Sequence, residues 1–321
     1  AQSLANQVGQ VLFGLQDQIS EKETNRTEAN ILEIGAGTGQ LAADLLLNLQ
    51  QLNALPNHYF ILEVSDYLRQ IQLENLQLKL PQELLERVIW LDSLPVDFVG
   101  LMFGNELLDA LPVHLIHQTA EGLQIRGVGF NGGFVWQDKP LQAGNLNDYV
   151  SAYSLPNAYL TEVCLSTTGL VNSLANSLKQ GVILMLDYGF GAAEYYHPQR
   201  NTGTLMCHYQ HYAHTDPLIN VGLQDITAHV NFTQIAEAAL TQDLTFAGYC
   251  NQASFLMNCG ILEILAETSP SDVATYAPLA AAAQKLLSPA DMGELFKGIA
   301  FSKNLDVDLI GFKNGDKSHN L

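Results

Sequence analysis

The segment Ile31-Leu-Glu-Ile-Gly-Ala-Gly-Thr-Gly39 constrains this chain more than any other, because it joins an apolar strand to a glycine turn and then to a helix. Leu41, Leu45, Leu46 and Leu49 follow it at helical spacing. A strand that ends in glycines leaves bare backbone at the carboxyl edge of an open α/β sheet, where a ligand can approach. The dinucleotide fingerprint asks for Gly or Ala at the sixth position of GxGxxG, and Gln40 stands there. No Gly-Lys-Ser or Gly-Lys-Thr triplet of a phosphate loop occurs. Glu33 lies two places ahead of Gly35, and Gly37 and Gly39 alternate after it. That pattern suits a cationic nucleoside without phosphates, and S-adenosyl-L-methionine has that chemistry.

The 321 residues suffice for one large α/β domain with insertions or for two small domains, and a hydrophobic content of 47% supports a large core. A formal charge of −19 excludes the basic footprint that nucleic acid requires, and it admits a cationic protein surface as substrate. Cys164, Cys207, Cys250 and Cys259 form no CxxC pair and read as reduced thiols. No apolar run reaches the roughly 18 residues of a membrane span. The chain opens in a helical pattern with no visible signal peptide.

Leu4, Val8, Val11, Leu12, Leu15 and Ile19 predict an amphipathic opening helix, followed by a loop over residues 20–29. Strands are expected at residues 30–34, 59–64, 87–92 and 97–103, with helices between them, which implies a parallel sheet with right-handed crossovers. Residues 123–136, with Asn131-Gly132-Gly133 at their centre, predict an inserted β-hairpin. A helix over 167–179 and a strand over 182–187 resume the rhythm. Helices at 232–241, 253–267 and 272–287 follow, and two closing strands are expected at 295–302 and 306–312. The expected architecture is therefore one α/β domain on a largely parallel sheet. Its core spans residues 1–112, 159–190 and 293–321; 113–158 carry the hairpin insertion, and 191–292 a mostly helical substrate-side insertion.

Glu63 closes the second strand, 24 residues after Gly39, where a carboxylate can accept both ribose hydroxyls. Asp92 ends the third strand, either where adenine contacts lie or as the acid of an ordinary turn. Asn105 and Glu106 follow the fourth strand and should face the reacting group. Asp109 lies three positions beyond Glu106, so on one helical turn both carboxylates project from nearly the same face. Two carboxylates can hold a guanidinium, and one can take a released proton, unless Asp109 only caps the turn at Leu111-Pro112. Tyr188 leaves the fifth strand, as a channel-lining or cation-facing ring or as a packed aromatic. His229 is either a substrate-side acid/base or a structural histidine. His208, His211 and His214 are evenly spaced, but no acidic or cysteine ligand is patterned with them, so no metal is expected.

These blocks resemble the MidA family, the mitochondrial complex I assembly-factor arginine methyltransferases and their bacterial relatives. The matching residues are Leu32–Gly39, Glu63-Val-Ser65 with Leu68-Arg69, Asn105-Glu106 with Asp109-Ala-Leu-Pro112, and Asp187-Tyr188-Gly189. They continue through Gly222, Asp225-Ile-Thr-Ala-His-Val-Asn-Phe232, Gln252 with Phe255-Leu256, and Met292-Gly293 with Phe296-Lys297. The resemblance implies a class I, Rossmann-like, seven-stranded S-adenosyl-L-methionine-dependent methyltransferase with substrate-side insertions, acting on protein arginine. The implied partners are an arginine-bearing protein and, in the mitochondrial branch, a respiratory complex I subunit; a homodimer is a separate expectation that the resemblance does not supply. The implied location is the cytoplasm for a bacterial-type member and the mitochondrial matrix for a eukaryotic one. Family members carry a segment before the opening helix that should help cover the cofactor, and this chain begins after it. Two rivals remain open: an assembly protein that keeps the fold without catalysis, and an NAD-dependent oxidoreductase.

Overall fold

The computed structural model describes residues 1–20, 29–210 and 212–321; residues 21–28 of the loop expected over 20–29, and His211, lie outside the described residues. The chain divides into two compact units. The first comprises Ala1–Leu107, Val171–Asp187 and Ala236–His319, and the second Leu108–Leu170, Tyr188–Ile235 and Asn320–Leu321. Residues 236–292, expected within the substrate-side insertion, thus belong with the sheet.

The first unit is built on seven strands: β1 (Asn30–Ile34), β2 (Tyr59–Leu62), β3 (Val88–Leu91), β4 (Phe98–Asn105), β5 (Leu178–Phe190), β6 (Thr245–Asn251) and β7 (Phe296–Lys303). Their order is β3-β2-β1-β4-β5-β7-β6. The pairs from β3 to β5 are parallel, whereas β6 runs antiparallel to β7. Near-continuous apolar runs such as Ile31-Leu32 and Leu101-Met102-Phe103 suit strands covered on both faces, and all five residues are fully buried. Helices α1 (Gln2–Ser20) and α2 (Gln40–Gln51) supply Leu12, Leu15, Leu45 and Leu49 to the same core. Gly9 lets α1 approach closely here: a Cβ there would sit 3.3 Å from the Ala54 Cβ, just after α2, and 3.8 Å from Leu49.

One closing strand falls elsewhere than expected. Residues 310–312 form a 3-10 turn, and the antiparallel partner of β7 is Thr245–Asn251. The backbone N–H groups of Ile310 and Gly311 donate to the side-chain oxygens of Gln10 and Gln7 on α1, at 3.0 and 2.8 Å. Donors that a sheet ladder would use are satisfied by two helix amides instead. The helix expected over 253–267 is also broken, into Gln252–Asn258 and Ile261–Ala266, at Gly260 with φ 82°.

The second unit holds an antiparallel four-stranded sheet of His114–Thr119, Gly122–Phe130, Phe134–Pro140 and Tyr159–Val163. Its hairpin turns at Asn131-Gly132-Gly133 as expected, with Gly132 at φ 70°. A three-stranded sheet of Met206–Tyr209, Tyr212–His214 and Asp225–Thr227 completes the unit with short helices. His208 and His214 therefore sit on paired strands rather than along one helix.

Candidate active site

In the first unit the chain leaves β1 through Gly35, Gly37 and Gly39, at φ 71°, 53° and 76°. Left-handed backbone at three alternating positions turns the chain tightly and aims it into α2. A Cβ on Gly37 would meet no atom within 4 Å, so the turn borders open space there. On its other side Gly39 lies against α3 (Asp66–Lys79): a Cβ would come 3.3 Å from the Gln72 Cα.

Gln72 is a fully buried amide that spacing gave no reason to select. Its Nε2 donates to the Gly37 carbonyl at 3.0 Å and to Glu63 Oε2 at 3.1 Å, and its Oε1 accepts from Trp90 Nε1 at 2.8 Å. One side chain thus ties the glycine turn, the acid after β2 and the tryptophan of β3. Glu63 is buried, with Oε1 also accepting from the Ser65 N–H at 2.9 Å. A carboxylate has about four acceptor sites, so two such bonds leave capacity for a diol. Arg69 spans the same strand ends, donating to the carbonyls of Glu63 and Leu91 at 2.8 and 2.7 Å and pairing with Asp92 at 2.8 Å. The Asp92 side chain is itself 91% exposed.

Glu33 is buried within the sheet and accepts from the Tyr59 hydroxyl at 2.7 Å. Burial pushes its carboxyl up to about 7, outweighing the Tyr59 hydrogen bond that favours the charged form. Because this value lies above the ordinary 4.5, the folded chain binds more protons than the unfolded chain between those two values. Stability contributed by the neutral acid is therefore present below that window and lost as pH rises through it, by on the order of 3 kcal/mol. Glu33→Gln should flatten that dependence. Urea midpoints at about pH 5 and about pH 8 check it: wild type should lose more than the variant, and equal losses would contradict the assignment.

Asn105 ends β4, and its Nδ2 lies 3.4 Å from Glu106 Oε1. Glu106 is exposed and takes φ 50°, while its N–H donates to the Leu186 carbonyl at 2.9 Å. The next N–H, of Leu107, donates at 3.1 Å to the fully buried Asp187. The left-handed residue excludes the helical turn expected across Glu106 and Asp109. The segment bends instead, and Leu111 N–H closes a short turn onto the Leu108 carbonyl at 3.3 Å. Glu106 is exposed and Asp109 buried, so the shared helical face does not form.

The second unit brings Asp109, Tyr188 and His229 together. The Tyr188 hydroxyl donates to Asp109 Oδ2 at 2.6 Å, and the Tyr188 ring meets the His229 ring edge-on with centroids 5.3 Å apart. Phe190 also packs against His229, with ring centroids 5.2 Å apart, and lies under the Arg200 guanidinium at 3.9 Å. Burial, with the charge of Asp225, raises the Asp109 carboxyl above its ordinary value. The His229 backbone is fixed by its main-chain N–H, which donates to Thr204 Oγ1 at 3.0 Å. Glu162, a buried acid, accepts in turn from the Thr204 N–H and hydroxyl and the Leu205 N–H. Gly203 makes that approach possible, because a Cβ would overlap the Glu162 carboxylate. Residues 42 positions apart make this anchor, which no local pattern announces.

The residues of the first unit fit S-adenosyl-L-methionine: open space at Gly37, a buried strand-end acid at Glu63 and no lysine-bearing phosphate cradle in the chain. The sequence pattern of the family described as "Putative S-adenosyl-L-methionine-dependent methyltransferase" matches residues 11–250. The chain is 43% identical to a crystallised Burkholderia thailandensis protein bound to S-adenosyl-homocysteine. That match has a TM-score of 0.92 and covers 100% of this chain and 80% of the other. It is 27% identical to the mitochondrial protein arginine methyltransferase NDUFAF7 of Xenopus tropicalis, over 83% of this chain. It is 26% identical to the human protein of that name, over 85% of this chain. The chain spans 66% of the length of each of these two relatives, just under two thirds.

Proposed function

The chain belongs to this family of S-adenosyl-L-methionine-dependent methyltransferases, and from that premise we propose that it methylates a guanidinium nitrogen of protein arginine. The observation that carries the reading is Glu106, an exposed carboxylate held in left-handed backbone directly after the central strand β4. A guanidinium is always protonated and presents a planar fork of donors, for which a carboxylate is the matching partner. The arginine named in the mitochondrial relatives supports the same choice.

Gly35, Gly37 and Gly39 hold the methionine part of the cofactor against bare backbone, with Glu33 buried behind them. Glu63 accepts the ribose hydroxyls, Asp92 faces the adenine, and Asn105 orients the ligand beside Glu106. When bound, S-adenosyl-L-methionine supplies a methyl group activated by its sulfonium charge. Glu106 pairs with the guanidinium, localises its charge away from the accepting nitrogen and receives the proton that nitrogen releases. Asp109, held by Tyr188, and His229 serve the substrate side, Asp109 as an acceptor for basic groups of the substrate and His229 as a proton relay. In a bacterial-type member the partner is a cytoplasmic protein. In a eukaryotic one it is a matrix protein, with respiratory complex I subunits the first class to examine.

Glu63→Ala should weaken S-adenosylhomocysteine binding by about 10- to 100-fold, as expected for losing charge-assisted hydrogen bonds of about 1.5–3 kcal/mol. Calorimetric titration reads this, and an unchanged affinity would remove Glu63 from the ribose site. The arginine assignment is tested by mass spectrometry of arginine methylation in cells with and without the protein. At least one protein should lose a methylarginine, and identical methylomes would overturn the assignment.

A further inference from the structure

The second unit contains a cavity of about 400 Å³ whose walls are almost wholly apolar. Pro112 contributes from the turn after Asp109, Val128 and Trp136 from the hairpin, and Leu218 and Ile226 from the segment that follows the histidine strands. Asp109 is the one charged side chain among its described lining residues. Several of these side chains stand in solvent, Val128 at 55% exposure and Trp136 at 38%, and Phe130 beyond them at 75%. Gathered apolar side chains this open mark an interaction surface.

The chemistry of the walls selects the occupant. A wholly apolar guest would strip water from Asp109 and return nothing to its carboxylate. A wholly polar guest would leave the Trp136 and Leu218 walls without apolar contact. Asp225 lies close enough for its charge to act on Asp109, so two acids share this region and a cation relieves their repulsion. The net charge of −19 favours a basic partner at longer range. The volume admits one large side chain with its neighbouring backbone.

We propose that this cavity binds a segment of the methyl-accepting protein in which a bulky apolar side chain stands beside the arginine. The apolar side chain fills the pocket between Trp136, Val128 and Leu218, and the adjoining basic residue lies toward Asp109. The inference rests on the arginine reading above and adds a sequence preference to it: the enzyme selects arginines with an aromatic or large aliphatic neighbour.

The test uses the full chain and three fluorescein-labelled peptides of about nine residues, glycine- and serine-rich. One carries Arg and Phe two positions apart, one has Phe replaced by Ser, and one has Arg replaced by Gln. Fluorescence anisotropy should show the Arg–Phe peptide binding about 10- to 100-fold more tightly than the Ser peptide, the range expected for burying a phenylalanine. Val128→Asp and Trp136→Ala should each erase that preference while S-adenosylhomocysteine affinity is unchanged. Equal binding of the Phe and Ser peptides would overturn the proposal, as would a preference that survives both substitutions. A dimer in sedimentation that Val128→Asp dissociates would also overturn it, because the surface would then belong to a second copy. Methyl transfer to lysate proteins, read separately, keeps the two claims apart. Arginine methylation without a Phe preference sinks only the pocket assignment. A Phe preference with methyl groups found only on other residues sinks the arginine reading.

Discussion

Glu106→Gln is expected to lower the rate of methyl transfer by about 10²- to 10⁴-fold, the range for removing a positioned acid/base, with S-adenosylhomocysteine affinity held within about twofold. The substitution keeps the shape of the side chain and an oxygen for the 3.4 Å contact with Asn105. The backbone feature that displays it is also kept, since the Glu106 N–H still donates to Leu186 and φ stays near 50°. What is lost is the negative charge that pairs with the guanidinium and the base that takes its proton. The residue is exposed, so stability should change by less than about 0.5 kcal/mol, and a fall in rate cannot be assigned to unfolding. A variant with wild-type kcat and KM would remove Glu106 from the chemistry and with it the observation on which the acceptor assignment rests.

The second large effect concerns the fold. Gly100 on β4 stands opposite Asn30 on β1 and Gly181 on β5, at φ 149°. A Cβ on Gly100 would overlap the Asn30 carbonyl oxygen, and it would lie 2.7 Å from its carbon. A Cβ on Gly181 would overlap the Gly100 carbonyl in the same way. Three central strands are therefore packed backbone to backbone at one level, and no flexible side chain is present to yield. Gly100→Ala should cost more than about 4 kcal/mol, a large share of the roughly 5–15 kcal/mol that holds a typical domain folded. It should appear as insoluble protein or a collapsed urea midpoint. Gly37→Ala is the contrasting variant: its Cβ meets nothing within 4 Å, so only the left-handed backbone is penalised, by about 1–2 kcal/mol. Equal stability of the two variants would show that the close approach at Gly100 is not what the sheet requires.

The features that sequence makes legible are those written in local periodicity. The Ile31–Gly39 block carries a complete strand–turn–helix signal, and β1 to β5 fall within a few residues of their expected places. The hairpin is legible because Asn131-Gly132-Gly133 interrupts an alternating run. The exchange of the last strand is not legible. Asp306-Val-Asp-Leu-Ile alternates as well as any edge strand, and only the distant amides of Gln7 and Gln10 decide that residues 310–312 turn instead. Gln72 is invisible for a related reason: a polar residue on a helix reads as solvent-facing until β2, β3 and the glycine turn close around it. Asp109, Tyr188 and His229 each stand out on local grounds, and their meeting is a property of the fold. The helical turn drawn through Glu106 and Asp109 fails because helical spacing presumes right-handed backbone, and Glu106 takes φ 50°.

The central claim, methyl transfer to arginine by this chain, is tested most directly in a cell-free reaction. Purified protein and S-adenosyl-L-methionine bearing a deuterated methyl group are mixed with a lysate from cells that lack the protein. Tandem mass spectrometry then locates the label. The account predicts deuterated methyl groups on guanidinium nitrogens of arginine in at least one protein, present with wild type and absent with Glu106→Gln. Label found only on other residues or on small molecules, or arginine label that persists in the variant, would contradict it.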